Sequence, residues 1–314
     1  MTTRARIRLR RGLLALAAAA IGTNAIAYWA ARTLCRFETG AEALSLRVPG
    51  LARPHSRRRP GIPYERHGFP SLDGTFLEAW YLPHPDARAV AVLFHGYGGT
   101  KGDLLREARA FHEHGLAALL VDFRGGGGSG GDESSIGFHE AQDVRAAAAY
   151  ARALPGRPPV VVYGISMGAA AVLKAEAEAP LGAHALVLEC PFDRLLTTVD
   201  HRFEERHLPA FPLSNLLVFW GGWRQGFDAF AHNPVGYARR VRTPTLLFNG
   251  SEDELVTPEE AGDIARALAG PKELVVCPGV PHASCLRGRS PLAADALARL
   301  LEVSLRPVHV AAQP

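Results

Sequence analysis

The sequence predicts an α/β fold: a mostly parallel central sheet with helices on both faces and a small helical cap inserted late in the chain. Three observations predict it. Short continuous apolar runs, such as Val90–Phe94 and Ala117–Val121, read as strands covered on both faces, which have no polar side to alternate with. Helical stretches separate these runs, the alternation a covered parallel sheet requires. The stretch "VVYGISMGAA", residues 160–169, passes from strand formers through Gly164-Ile165-Ser166-Met167-Gly168 into an Ala run. Strand meets helix there through a turn too short for an ordinary loop, with one Ser at its tip.

The elements follow in order. Gly12–Ala31 is 20 residues without a charge, preceded by Arg4, Arg6, Arg8, Arg10 and Arg11. As a helix it reaches about 30 Å, the hydrocarbon thickness of a bilayer. The Arg excess before it predicts an N-terminus held in the cytoplasm and a chain carried across the membrane, with Tyr28 and Trp29 at the far interface. The competing reading is a cleaved signal: Leu13–Ile21 is a short apolar core, and Ala25-Ile26-Ala27 is an A-x-A site. A membrane anchor over 1–35 is favoured; otherwise the domain is secreted or periplasmic after cleavage. An Ala-rich helix packed on the domain fits the five-Arg leader poorly.

Residues 36–62, rich in Pro, Gly and Arg and including Arg57, Arg58 and Arg59, read as a linker. The domain then runs over 63–305, with a tail at 306–314. Strands are expected at Thr75–Leu82, Val90–Phe94, Ala117–Val121, Val160–Tyr163, Leu186–Leu188, Thr245–Phe248 and Leu274–Val276. Helices are expected at Asp103–His112, Glu140–Leu154, Met167–Ala179, Pro258–Leu268 and Pro291–Val303. Residues 192–236 break the alternation. They hold many aromatics and read as a cap; Phe211, Trp220, Trp223 and Phe227 are its candidates for lining a substrate cleft, or else for packing the cap itself.

Composition excludes some functions. With 47% hydrophobic and 21% charged residues the chain is globular, not disordered. Its net charge of +4 arises mainly at the start, and no basic face interleaved with aromatics suggests nucleic acid. The four Cys (35, 190, 277 and 285) show no metal-ligand spacing. Cys277 and Cys285 could pair in an oxidising compartment, but unpaired buried thiols are the favoured reading.

The chemistry centres on Ser166. The pattern G-x-S-x-G sets a hydroxyl on a strained turn, with the next backbone N–H free to donate. A Ser hydroxyl needs a base in hydrogen-bond reach and a carboxylate to orient that base. Downstream, "LLFNGSEDELVTP" and "VVCPGVPHASC" each place a polar turn after an apolar strand. Asp253 and His282 emerge there, at the carboxyl edge of the sheet where ligands bind. Glu252 could exchange roles with Asp253, and His282 could be a surface or capping residue. Two donors for an oxyanion are expected from the N–H of Met167 and from the loop His95-Gly96-Tyr97-Gly98-Gly99, with Tyr97 the first choice and Gly98 the second. His95 reads as a brace of that loop. Gly126, Gly128 and Gly131 match G-x-G-x-x-G, but the next helix starts well downstream and Asp132 and Glu133 would repel phosphate, so a loop beside the site is preferred to a nucleotide cradle. His201, Glu205 and His207 read as a solvated helix face, not a metal site.

"HGYGG", "DFRGGGGSGG", "GISMG", "GSEDELV" and "PHASC" together resemble the α/β-hydrolase superfamily, over about residues 64–305. The group it most resembles is the serine aminopeptidase-like and monoacylglycerol-lipase-like hydrolases, some with an N-terminal membrane segment. The resemblance implies Ser166 as nucleophile, Asp253 as acid, His282 as base, and oxyanion donors at Tyr97 and Met167. "NAIAYWAARTLCRF" also resembles the N-termini of anchored members. Two departures stand out: Gly126 follows "RG" where His or an aromatic is frequent, and Val280-Pro281 precedes the His where Gly-Ala or Gly-Gly is frequent. The expected activity is hydrolysis of a small-molecule ester with an apolar or lipid-like acyl group, without cofactor or metal. A small-peptide hydrolase and a non-catalytic ligand receptor are the alternatives.

Overall fold

A computed structural model of the chain describes residues 3–36, 63–288 and 290–306. Apart from Arg36, the expected linker lies outside the described residues, as does the tail from 307.

The chain begins with one long helix, α1 (Thr3–Cys35). Its Arg10–Cys35 stretch has a mean hydropathy of 1.6 and is long and apolar enough to cross a bilayer; a signal sequence would pass the same test. The domain follows with β1 (Glu65–Pro70), β2 (Phe76–Leu82), β3 (Ala89–Phe94), α2 (Leu105–Glu113) and β4 (Leu116–Val121). Next come α3 (Glu140–Arg152), β5 (Val160–Ile165), α4 (Met167–Glu178) and β6 (Ala185–Glu189). The cap contains α5 (Leu195–Glu204), α6 (Leu213–Gln225) and the short α7 (Pro234–Ala238). The chain returns through β7 (Thr245–Gly250), α8 (Pro258–Ala267), β8 (Lys272–Cys277) and α9 (Pro291–Ser304).

The eight strands form one sheet in the order β1-β2-β4-β3-β5-β6-β7-β8. β1 and β2 run antiparallel to their neighbours; the other pairings are parallel. Every residue of β3, β4, β6 and β7 is buried, as the unbroken apolar runs of β3 and β4 require. Alternate side chains feed two cores. Val90, Val92 and Phe94 pack with α3 and α4, and Ala89, Ala91 and Leu93 pack with α2 and α9.

β1 was not among the expected strands. "ERHGFP" has no apolar run and ends in Pro, so nothing in it reads as core; as an edge strand it needs partners only in β2.

The C-terminal part of α1 packs on the domain. From Arg11 to Ile21 α1 is exposed, but Ala27, Ala31 and Cys35, spaced four apart on one face, are buried against the cap helix α6. The reading of Cys277 and Cys285 as unpaired thiols is overturned. They form a disulfide with Cα atoms 6.3 Å apart, within the usual span of such a bridge.

Candidate active site

The sheet changes direction between β3 and β5: from β3 the chain moves to β4 on one side, then to β5 on the other. The loops after β3 and β5 therefore part at the carboxyl edge and leave a crevice, where open α/β sheets bind ligands.

Ser166 sits between β5 and α4 at φ +53°, a conformation costly for a non-glycine residue. Two close approaches hold it there. A Cβ on Gly164 would lie 2.6 Å from the carbonyl of Gly168, and a Cβ on Gly168 would lie 2.6 Å from the carbonyl oxygen of Phe94. Only glycine lets strand, turn and helix pack this tightly, which is the physical content of G-x-S-x-G.

The structure brings Ser166, His282 and Asp253 together. Asp253 follows β7, with its side chain wholly buried. One carboxylate oxygen accepts the N–H groups of Leu255 (3.0 Å) and Val256 (2.9 Å). The other lies 2.8 Å from Nδ1 of His282. A carboxylate so placed only accepts, so Nδ1 carries the proton. Nε2 is then an acceptor, 3.0 Å from Oγ of Ser166. Glu252, the alternative acid, is exposed to solvent.

The loop after β3 lies against the same point: a Cβ on Gly96 would be 3.5 Å from that of Ser166. Nε2 of His95 accepts the N–H of Phe123 (3.1 Å), so Nδ1 donates to the carbonyl of Gly96 (2.8 Å). Burial lowers the pKa of this imidazole, which suits a neutral ring bracing the loop. Tyr97 follows on the same loop, and its hydroxyl donates to the carbonyl of Leu34 in α1. Met167 opens α4, where an N–H has no carbonyl one turn back in its own helix.

Sequence reasoning missed what holds the His282 loop. Glu189, at the end of β6, accepts the N–H groups of Cys285 (3.0 Å) and Leu286 (3.3 Å). Burial, with the Glu107 charge nearby, pushes its carboxyl up to about 8. Arg287 pairs with Glu107 at 2.9 Å, and the Cys277–Cys285 disulfide closes the same loop. Donor atoms of Cys190, Asp253 and His282 lie within 4.8 Å of one another, a spacing that could hold a metal. Both ring nitrogens of His282 are already engaged, and burial pushes the Cys190 thiol up, away from the thiolate a metal binds.

A family model described as "Serine aminopeptidase, S33" matches residues 85–213. Among solved structures, the Pyrococcus furiosus esterase Pf2001 superposes with a TM-score of 0.64 at 21% identity, covering 77% of this chain and 91% of that one. Est1E from Butyrivibrio proteoclasticus with ferulic acid bound does so with a TM-score of 0.59 at 19% identity, covering 78% and 99%. An uncharacterized protein of Mycobacterium tuberculosis, Rv2307c, is 32% identical over 236 residues, which span 73% of this chain and 76% of that one. The chain belongs to the α/β-hydrolase superfamily.

In this hydrolase the Gly-rich run after β4 wraps the protein's own carboxylates. Asp122 accepts the N–H groups of Lys101 (2.7 Å) and Gly128 (2.8 Å), and a Cβ on Gly127 would lie 1.9 Å from it. At the start of α3, Glu140 accepts Ser134 Oγ (2.6 Å) and the N–H groups of Ser135 and Gly137 (3.0 Å each). The anion positions that a nucleotide phosphate would need are filled from within.

Three of the four candidate cap aromatics have ring partners. Trp220 packs edge-on against Tyr28 of α1 at 5.5 Å, and Phe227 stacks on Phe138 at 4.0 Å. Phe211 and Trp223 face outward. A buried cluster of Ala170, Leu195, Val218 and Ala229 roots the cap on α4, so a small cap spends much of its apolar surface on holding itself. His201, Glu205 and His207 are not brought together: His201 lies 3.0 Å from the carbonyl of Leu255, and Glu205 pairs with Arg202.

Proposed function

We propose that this hydrolase cleaves carboxylic esters with an apolar or lipid-like acyl group, using Ser166 as nucleophile, His282 as base and Asp253 as orienting acid. The observation that carries the reading is the unbroken relay from Ser166 Oγ to His282 (3.0 Å) to Asp253 (2.8 Å). Ser166 Oγ attacks the carbonyl carbon as its proton passes to Nε2 of His282. Asp253 holds the ring in the tautomer that leaves Nε2 free and stabilises the imidazolium. The N–H groups of Met167 and Tyr97 face the developing oxyanion. His282 then protonates the leaving alcohol, and water repeats the sequence to free the acid.

The superposing proteins include one named an esterase and one with ferulic acid bound, which supports an acyl substrate. In this reading residues 1–35 anchor the chain and place the domain, 63–305 with its cap at 192–236, outside the cytoplasm, because the five-Arg leader stays inside. The matching family description favours a second reading, an amide hydrolase acting on small peptides with the same residues.

The test is turnover of nitrophenyl esters of increasing acyl length beside aminoacyl nitroanilides, by the full chain and by Ser166→Ala. Ester turnover that depends on acyl length and falls at least about 10³-fold in the variant is expected. Turnover of anilides alone moves the assignment to the peptidase, and full activity in the variant overturns the nucleophile.

A further inference from the structure

We propose that the cap helix α6 lies in the membrane interface beside α1, so that the hydrolase rests cap-down on the bilayer. This rests on reading α1 as the anchor.

Crossing a hydrocarbon core takes about 20 helical residues, or about 30 Å. Within the uncharged segment, Gly12–Ile21 is exposed all round, about 15 Å of helix. The remainder of the uncharged segment, through Ala31, is docked on α6 by one face, with Ala27 and Ala31 buried and Ile26 and Trp29 still exposed. Either α1 leaves α6 when it enters the membrane, or α6 goes down with it.

The contacts favour the second. Asn24, the polar residue in the middle of the span, accepts the indole N–H of Trp220 at 3.4 Å, and its amide donates to the carbonyl of Ala20 at 3.0 Å. Undocking would strand an amide oxygen in hydrocarbon, which is costly. The seam itself is made of small residues: Ala27, Ala31 and Cys35 on α1, with Gly221 of α6 facing Cys35. Close approach through small residues is how helices pair in lipid.

The exposed side of the cap fits the same surroundings. Leu208–Trp223 runs 16 residues without a charge. Phe211 is 79% exposed and Trp223 is 64% exposed, and Trp223 continues the aromatic row from Tyr28 through Trp220. With Ala31 at the boundary, Tyr28 and Asn24 sit about 5 and about 10 Å below it, the depth of an interfacial helix. Trp220, bonded to Asn24 and packed edge-on against Tyr28, is carried to that depth. Arg32 and Arg36 mark the watery end of the segment, Arg36 paired with Asp132. That end of α1 also touches the site: Leu34 accepts the Tyr97 hydroxyl, and Cys35 accepts the N–H of Ser134 at 2.7 Å. One tyrosine side chain separates the anchor from the loop beside Ser166.

The test uses three full-length proteins in vesicles of brominated phosphatidylcholine, each keeping one Trp. Phe replaces the other three, leaving Trp223, Trp29 or, as a reference in the sheet, Trp80. Quenching of Trp29 and Trp223 but not Trp80 supports the proposal. Quenching of Trp29 alone, with residues 208–223 of the unmodified chain exchanging freely in nanodiscs, overturns it and leaves the anchor standing. Quenching of none overturns both. Hydrogen exchange on the unmodified chain gives a second measure that needs no variant to fold. Residues 208–223 are expected to be protected in nanodiscs and to exchange freely in detergent. Protection in detergent that grows with protein concentration would give the face to a second copy and overturn the proposal.

Discussion

Replacing Asp253 with Asn alters one atom of the relay and little of its packing. The retained oxygen still accepts the N–H groups of Leu255 and Val256, at 3.0 and 2.9 Å. The new amide nitrogen then faces Nδ1 of His282, where the carboxylate oxygen stood at 2.8 Å. Two donors cannot share that contact, so the ring adopts the other tautomer, with Nδ1 accepting and Nε2 protonated. Nε2–H then points at Ser166 Oγ, 3.0 Å away, and cannot take its proton. A wrong tautomer of this kind costs about 10⁴ in kcat, close to 5.5 kcal/mol of barrier. Initial rates on a nitrophenyl ester measure the loss, and urea denaturation should show a fold within about 1 kcal/mol of the unmodified protein, since both backbone bonds remain. A folded Asp253→Asn variant with activity within tenfold of the unmodified enzyme would refute the reasoning.

Other expectations follow from single contacts. Gly168→Ala should destabilise by about 3 kcal/mol or prevent folding, because its Cβ would meet the Phe94 carbonyl at 2.6 Å; urea midpoints measure it. Removing the disulfide as Cys277→Ser/Cys285→Ser should cost about 2.5 kcal/mol, since the closed loop is short, and thermal melts with and without reductant report it. Glu189 is an acid whose pKa is higher folded, about 8, than unfolded, so the folded chain binds the extra proton. Its contribution to stability is therefore full at acid pH and declines as pH rises from about 4.5 to about 8. Denaturation midpoints across that window should fall more steeply for the unmodified chain than for Glu189→Gln, whose neutral amide has no proton to lose.

The fold and the three residues that meet at the carboxyl edge were legible because each leaves a local mark. A buried strand writes an apolar run, and Ser166, Asp253 and His282 each stand in a polar turn just beyond one. What was not legible depends on residues far apart in the chain. "LVLE" ends a buried strand with a residue that reads as surface, yet Glu189 is buried because two N–H groups nearly 100 residues away need an acceptor. The Cys277–Cys285 pair was misread because eight residues of separation say nothing about Cβ direction. The aromatics of the cap were visible as a group, but not that Trp220 would meet a helix almost 200 residues earlier. An apolar helix seen alone looks the same whether lipid or protein covers it.

The central claim is that Ser166 is an activated nucleophile, and its most direct test is covalent. The purified full chain and its Ser166→Ala variant are treated with a fluorophosphonate, digested and mapped by mass spectrometry. One adduct is expected, on Ser166, formed at neutral pH and absent from the variant. A folded protein that takes no label at Ser166, or takes it equally in the variant, would contradict it.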